Sequence, residues 1–461
     1  MSKNKYLKTQ NSGVEKAVEA VQFPKPFLDR MQNLLGDEFE CFKQSLSKEK
    51  QSAIFVNNHK IETSKFKQIA DFEIEPIFYE PNGFYVNTKL GKHPLHHAGA
   101  FYVQEPSAMF TVNAHKFVGD EKVLDMCAAP GGKSIQIANR IPNGVLVSNE
   151  INNSRCSVLF SNIERMGLDN VVIANDTPQN IAEAYGNYFD VVLVDAPCSG
   201  EGMFRRGEQV VKEWNENLPK MCADRQLSIL ACADKTLKQN GTLIYSTCTY
   251  SVEENEQVVK QFCQEFDYSI VNIDYPIGNI CEGLPRGVDL PQAVRMYPHK
   301  VRGEGQFVAV LKKNGQNKNL QNGNLKLKES SSANEFLRKN LSTQTGSCFE
   351  YGDFGYCVKD LSALKKGVNY YSIGVRVGQI VNKRFEPCHN LFTAFGRNFK
   401  NKLELNYPCN EILRYLKGET LTVEMDDGYG AVILSGCPVG GFKLANGQFK
   451  NHYPKGLRNQ F

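Results

Sequence analysis

Two cysteines of this 461-residue chain stand where a thiol can meet a ligand. Cys198 follows the apolar run Phe189–Val194 in the segment DAPCSGEGMFR (Asp195–Arg205), and Cys248 follows Thr242–Ser246 in YSTCTYSVEENE (Tyr245–Glu256). Both runs read as β-strands, so each thiol lies just past a strand's carboxyl end. A single cysteine there is most simply a small buried hydrophobe. Two at neighbouring strand ends, beside a cofactor-type turn, point to nucleophilic chemistry. That turn is VLDMCAAPGGKS (Val123–Ser134), in which Gly131 and Gly132 let a ligand approach the backbone and a following helix N-terminus offers free N–H groups. Gly-Lys-Ser resembles the end of a phosphate-binding loop. That motif needs a glycine five positions before its second one, and Cys127 stands there instead. A nucleoside cofactor fits better: Glu150, closing GVLVSNE, is placed for ribose hydroxyls, and Asp176, past the next strand, for an adenine amino group.

Thiols beside a nucleoside cofactor suit one demanding reaction. Carbon 5 of cytosine is a poor nucleophile until a thiolate adds to carbon 6 and turns the ring into an enamine. Ring nitrogen 3 must be stabilised or protonated meanwhile, and Asp195 is placed for that role. A base must then take the proton from carbon 5 before the thiol leaves. Two cysteines can divide attack and release, and their spacing alone permits either assignment.

The elements that position these residues alternate strand and helix. Lys122–Met126, Gly144–Ser148, Asn170–Ala174, Phe189–Val194 and Thr242–Ser246 read as strands, and Gln306–Leu311 as a last one. Ile135–Arg140, Ser154–Met166 (ended by Gly167), Cys222–Lys238 (ended at Asn240-Gly241) and Val252–Phe266 read as helices. The expected fold is α/β, a doubly wound parallel sheet with its ligand at the strands' carboxyl ends. Residues 1–117 mix short helices and strands and form an expected α+β domain, and 118–313 form the catalytic domain. Asn314–Ser332, rich in Asn, Gln, Lys and Ser, reads as a linker. A small domain follows over 333–461, with Gly378–Lys383 and Leu421–Glu424 expected to be extended.

Charge is uneven. From Lys312 onward there are 22 lysines and arginines against 12 aspartates and glutamates, although the whole chain carries only +4. A basic last third suits contact with a polyanion. No apolar run approaches the ~20 residues that cross a bilayer, and the polar, lysine-bearing start has no secretory apolar stretch. The 14 cysteines include no C-x-x-C pair. Reduced thiols, a cytoplasmic location and no membrane partner are the expectation.

The segments QEPSAM (Gln104–Met109), LDMCAAPGGK, VLVDAPCSGEGMFR and GTLIYSTCTYSVEENE together resemble the Nol/Nop/Sun family of RNA cytosine methyltransferases. PFLDRMQNLLGDEFECF near the start and KNHYPKGLR (Lys450–Arg458) at the end are similar to its RsmF-type bacterial branch, which modifies small-subunit ribosomal RNA. The resemblance implies a Rossmann-like core dependent on S-adenosylmethionine, with cofactor contacts from Cys127, Ala128, Ala129, Pro130, Gly131, Gly132, Lys133, Glu150, Asp176 and Asp195. It implies Cys248 as the nucleophile and Cys198 as the aid to product release. It also implies a C-terminal RNA-binding extension, PUA-like at its end, and ribosomal RNA or the small ribosomal subunit as partner, with no DNA and a monomeric enzyme. A transfer-RNA enzyme and a catalytically idle assembly factor are the competing expectations. One departure is that Phe55 and Val56 precede Asn57 where many relatives carry an arginine. Among weaker features, His93, His96 and His97 cluster around Pro94 without a metal-ligand geometry, and Trp214 reads as packing. Lys443, Lys450, Tyr453, Lys455 and Arg458 are candidates for phosphate contact and base stacking.

Overall fold

A computed structural model describes residues 23–273, 286–315 and 321–458, save 344 and 383. The polar start of the chain, the middle of the expected linker and Lys383 lie outside these residues. At the centre is a ten-stranded sheet. Its strands are β1 (Lys122–Asp125), β2 (Val145–Asn149), β3 (Val171–Ala174), β4 (Phe189–Asp195), β5 (Leu237–Thr247), β6 (Tyr268–Val271), β7 (Arg286–Gly287), β8 (Leu290–Met296), β9 (Gln306–Lys313) and β10 (Tyr370–Ser372). The order is β7-β8-β9-β5-β4-β1-β2-β3-β10, with β6 also against β9. Strands β1 to β5 are mutually parallel. The chain runs outward from β1 to β3, then returns to β4 on the other side. The crevice between β1 and β4 is therefore the switch point of a doubly wound sheet, where such folds hold ligands. Helices α1 (Gly132–Arg140), α2 (Asn153–Met166), α3 (Leu218–Thr236) and α4 (Glu256–Glu265) cover its faces. Apolar residues bury both sides, Leu124, Val147 and Val192 toward one cluster and Val123, Leu146 and Val191 toward the other, as the two-residue period of a strand requires.

The sheet departs from an all-parallel reading at its edges. Strand β9, expected as the last parallel strand, runs antiparallel to β5, with Phe307 opposite Thr247. Its amino end, not its carboxyl end, therefore lies beside the carboxyl end of β5. Helix α3 ends at Thr236, and the extended chain already starts at Leu237, before Asn240-Gly241. On the other edge, β10 belongs to the C-terminal third yet pairs with β3. The stretch expected as linker is also partly ordered: Lys328–Glu329 pairs with Cys348–Tyr351, and Ser331 begins a helix.

Beyond β9 the chain builds a five-stranded sheet of short strands and a four-stranded sheet formed by Asn401–Leu405, Gly428–Leu434, Cys437–Ala445 and Gln448–Asn451. Gly378 lies in a strand as expected, whereas Leu421–Glu424 pairs with no strand. A four-stranded sheet in the N-terminal region includes Ser52–Val56 at its heart. Its alternate residues face different partners. Ala53 and Phe55 join the core of the catalytic region, while Ile54 and Val56 join the core containing Ile412 and Val432. Phe55 and Val56 are fully buried. An arginine side chain there would have to enter apolar packing, so the position serves cohesion. Lys60 ties the same three regions: its buried ammonium donates to the carbonyls of Ala98 (3.0 Å), Arg165 (3.0 Å) and Pro438 (2.8 Å).

Candidate active site

At the switch point lies a cavity of about 410 Å³. The turn after β1 forms its floor, and Cys127, Ala128, Ala129, Pro130, Gly132 and Lys133 all line it. Gly131 caps α1 with φ 112°, a left-handed conformation that favours glycine. A Cβ on Gly132 would sit 3.1 Å from both Gln104 and Tyr102, which form the opposite wall. The turn is thus a cradle whose width is set by a missing side chain. Two buried acceptors on its walls, Asp125 Oδ1 and Gln104 Oε1, have no hydrogen-bond partner among the described residues. Burial pushes the Asp125 carboxyl up to about 7. A zwitterionic amino-acid tail suits such a place: the cradle faces its carboxylate with N–H groups, and the two acceptors can receive its ammonium. The residues present fit S-adenosylmethionine.

Across the cavity, β4 delivers Asp195 and β9 delivers Gln306. Asp195 Oδ2 accepts from Lys133 Nζ at 2.8 Å. Its Oδ1 accepts from Ser246 Oγ at 2.7 Å and from Gln306 Nε2 at 3.2 Å. Burial works to lower the Lys133 ammonium, but Asp195 outweighs it and holds that ammonium above its ordinary range. Three donors thus converge on the Asp195 carboxyl group, which keeps the Lys133 proton in place. Gln306 was not singled out from the sequence. With β9 taken as parallel, its amino end falls on the wrong side of the sheet. The signal available was one polar residue opening the apolar run QFVAVL.

The structure brings the two cysteines together. Cys198 and Cys248 follow the adjacent parallel strands β4 and β5, and their sulfurs are 3.4 Å apart. Cys248 lines the cavity; Cys198 does not. The hydrogen bond to Cys248, and then burial, push the Cys198 thiol well above the usual range. The two thiols share one hydrogen bond, in which either sulfur can donate. The neighbouring chain is firmly tied. Glu254 Oε2 accepts from Ser199 N–H (2.8 Å) and Gln226 Nε2 (3.0 Å), and burial raises this carboxyl to about 7. Gly202 N–H donates to the Cys248 carbonyl at 2.8 Å, and a Cβ on Gly202 would lie 2.5 Å from that oxygen. The glycine in GEGMFR is what lets that segment close over the Cys248 backbone.

Gly131, Glu150 and Asp176 lie outside the cavity lining. Glu150 is buried after β2, accepting from Asn152 N–H (2.9 Å) and pairing with Arg155 (3.0 Å). Asp176 follows β3, and the backbone N–H of Asp176 donates to Asn149 Oδ1 at 3.2 Å. Both carboxylates stand at adjacent carboxyl ends beyond the cradle. Further cavity residues absent from the sequence reading are Arg206 and Glu304, paired at 2.7 Å. Two of the three histidines serve packing between regions: His93 meets Asp71 (2.9 Å) and Tyr407 (3.0 Å), and His97 meets Tyr453 (2.9 Å). Trp214 is buried and donates to Glu201 at 3.0 Å. Two of the proposed RNA contacts are corrected. Tyr453 is buried, and Arg458 is turned back on the carbonyls of Asn451 and Tyr453, so neither ring nor guanidinium faces outward as a contact needs. Lys450 and Lys455 are exposed, and Lys443 lies 4.7 Å over the Tyr429 ring.

A switch-point cradle for a sulfonium cofactor, with a thiol across from it, defines a Rossmann-like methyltransferase. Three family models match in chain order: the N-terminal domain of 16S rRNA methyltransferase RsmF over residues 23–106, 16S rRNA methyltransferase RsmB/F over 113–312, and the methyltransferase RsmF PUA domain over 400–459. The chain is 29% identical to the ribosomal RNA small subunit methyltransferase F of Erwinia tasmaniensis, over 95% of this chain and 97% of that protein. It is 35% identical to that of Vibrio campbellii over 64% of each. Among solved structures, a methyltransferase homolog from Pyrococcus horikoshii is 28% identical with a TM-score of 0.55, covering 64% of this chain and 96% of that one. NSun6 from the same organism, solved with SFG, shares the fold at 22% identity and TM-score 0.58, covering 64% of this chain and all of that one. The chain belongs to the RsmF-type branch of the Sun family of S-adenosylmethionine-dependent RNA methyltransferases.

Proposed function

We propose that this enzyme methylates carbon 5 of cytosine in small-subunit (16S) ribosomal RNA through a covalent Cys248 adduct at carbon 6. One observation carries the reading: the Cys248 thiol faces the cavity 3.4 Å from Cys198, with the Lys133–Asp195 pair on the same walls. S-adenosylmethionine, held by the turn at 127–133 with Glu150 and Asp176 at its nucleoside end, supplies an activated methyl group.

The protein's residues do the rest. Cys248 as thiolate adds to carbon 6, forming the C–S bond and pushing electron density toward ring nitrogen 3. Asp195 stabilises ring nitrogen 3 during this addition, and Lys133, its proton held beside Asp195, offsets the charge that develops there. Carbon 5, now enamine-like, takes the methyl as the methyl–sulfur bond breaks, which leaves the cofactor as its neutral thioether. Cys198 gives up its proton to solvent and, as thiolate, removes the proton from carbon 5; the C–S bond breaks and Cys248 is released as thiolate. The adduct removes the Cys248 hydrogen bond, the first of the causes that raise the Cys198 thiol. A folded RNA must present the cytosine turned out of its stack, and the basic last third suits the phosphate backbone. The enzyme acts as a cytoplasmic monomer on ribosomal RNA, with no DNA or membrane partner.

The test pairs labelled S-adenosylmethionine with 30S subunits, naked 16S rRNA and transfer RNA, using wild type, Cys248→Ala and Cys198→Ala. The expected result is label on ribosomal RNA cytosine, abolished by Cys248→Ala. Label confined to transfer RNA would overturn the substrate and keep the chemistry. Label that survives Cys248→Ala would overturn the covalent mechanism.

A further inference from the structure

We infer that the C-terminal third is part of the cofactor site: Asn369 is a positioning residue that holds Asp176 ready for the adenine amino group. The inference rests on the reading of Asp176 as the adenine acceptor. A carboxylate offers about four acceptor directions. At Asp176, Oδ1 accepts from Thr177 N–H and Asn180 Nδ2, each at 2.8 Å. Its Oδ2 accepts from the backbone N–H of Asn369 at 3.0 Å. One direction on Oδ2 is left for a ligand, and the donors fix where it points. The first two donors come from the N-cap and the first turn of the helix Pro178–Ala184 that follows Asp176. The third arrives from 193 residues away.

Asn369 is itself pinned. Its carbonyl accepts from Asn175 N–H at 2.8 Å, and its Nδ2 donates to the Asn175 carbonyl at 3.0 Å. The next residue, Tyr370, opens β10 and pairs with Ala174 on β3, with its hydroxyl buried against Tyr185 at 2.8 Å. Asn175 in turn donates to the carbonyl of Glu150 at 2.7 Å. The C-terminal third thereby reaches both acidic residues of the nucleoside end through one asparagine. A carboxylate left with only its local donors would be free to rotate, so its preference for an N–H donor at one place would fall.

The test is equilibrium binding to the full chain, comparing S-adenosylmethionine with its inosyl analogue, in which a carbonyl replaces the adenine amino group. Asn369→Pro removes the backbone donor, and Asn369→Ala keeps it while losing the Nδ2 tie. Asn369→Pro is expected to weaken S-adenosylmethionine binding roughly tenfold, as loss of a hydrogen bond to a charged group does, and Asn369→Ala by about two- to threefold. Neither should change binding of the inosyl analogue, a selectivity that a general loss of structure would not produce. Variants that bind both cofactor forms as wild type does, or lose affinity equally for both, overturn the role of Asn369. Asp176→Ala separates the two readings: if it keeps the full wild-type preference for the adenosyl form, Asp176 is not the adenine acceptor and the inference falls with it.

Discussion

Among the described residues two pairs of thiols lie close together, and they behave differently. Cys198 and Cys248 stand 3.4 Å apart past two parallel strand ends. Cys348 and Cys357 stand 2.7 Å apart, directly opposite each other on two antiparallel strands. The second pair is closer, yet both of its members are buried among Phe336, Leu337 and Val375, and the hydrogen bond to Cys357, then burial, push the Cys348 thiol far up. Neither reaches the cavity. The first pair has a cavity on one side, an ammonium–carboxylate pair on its walls, and a strand geometry that aims one sulfur outward. Proximity of sulfurs is therefore not what makes a site. Access for a ligand and a charged neighbour that can share the electron flow are.

Three substitutions sharpen the contrast from the active side. Cys248→Ala should reduce methyl transfer to background while cofactor affinity stays within twofold of wild type, measured by label incorporation and calorimetry. Cys198→Ala should abolish turnover but not attack. A denaturation-resistant RNA adduct should then accumulate on gels, and its absence would show that some other base releases the product. Lys133→Met should cost on the order of 10²–10³-fold in the rate of adduct formation, as loss of a buried electrostatic stabiliser does. Quench-flow on the Cys198→Ala background reads that step directly.

How far the sequence carried these residues depends on what announces them. The cradle, Asp195 and both thiols were legible because each follows an apolar run and a turn signal, and the parallel order then brings such ends together. Gln306 was hidden by strand direction: apolar composition does not say whether β9 runs with or against β5. Asn369 was hidden for a different reason. Its contribution is a backbone N–H, which any residue but proline supplies, and the contact spans 193 residues. Lys60 was also invisible, since a lysine in a polar loop gives no sign that three regions converge on its ammonium. Tyr453 and Arg458 failed in the opposite sense. An aromatic and basic cluster near a chain end has the same composition whether it faces RNA or closes a helix against its own carbonyls.

The smallest expected effect comes from the buried pair and decides whether the contrast is real. Cys348→Ala removes one sulfur from a fully buried site. The loss of packing should cost about 1–2 kcal/mol of stability, seen as a lower midpoint in denaturant. Methyl transfer at a temperature where the variant is folded should stay within twofold of wild type. In the same preparation, iodoacetamide should modify Cys248, which lines the cavity, and leave Cys357 unmodified until denaturant is added. Peptide mass spectrometry distinguishes the two sites. A fall in methyl transfer much larger than the loss of folded protein, or ready alkylation of Cys357 in the native enzyme, would mean that this pair is reachable and coupled to the reaction. Access would then no longer separate the two pairs, and the rule drawn from comparing them would have to be replaced.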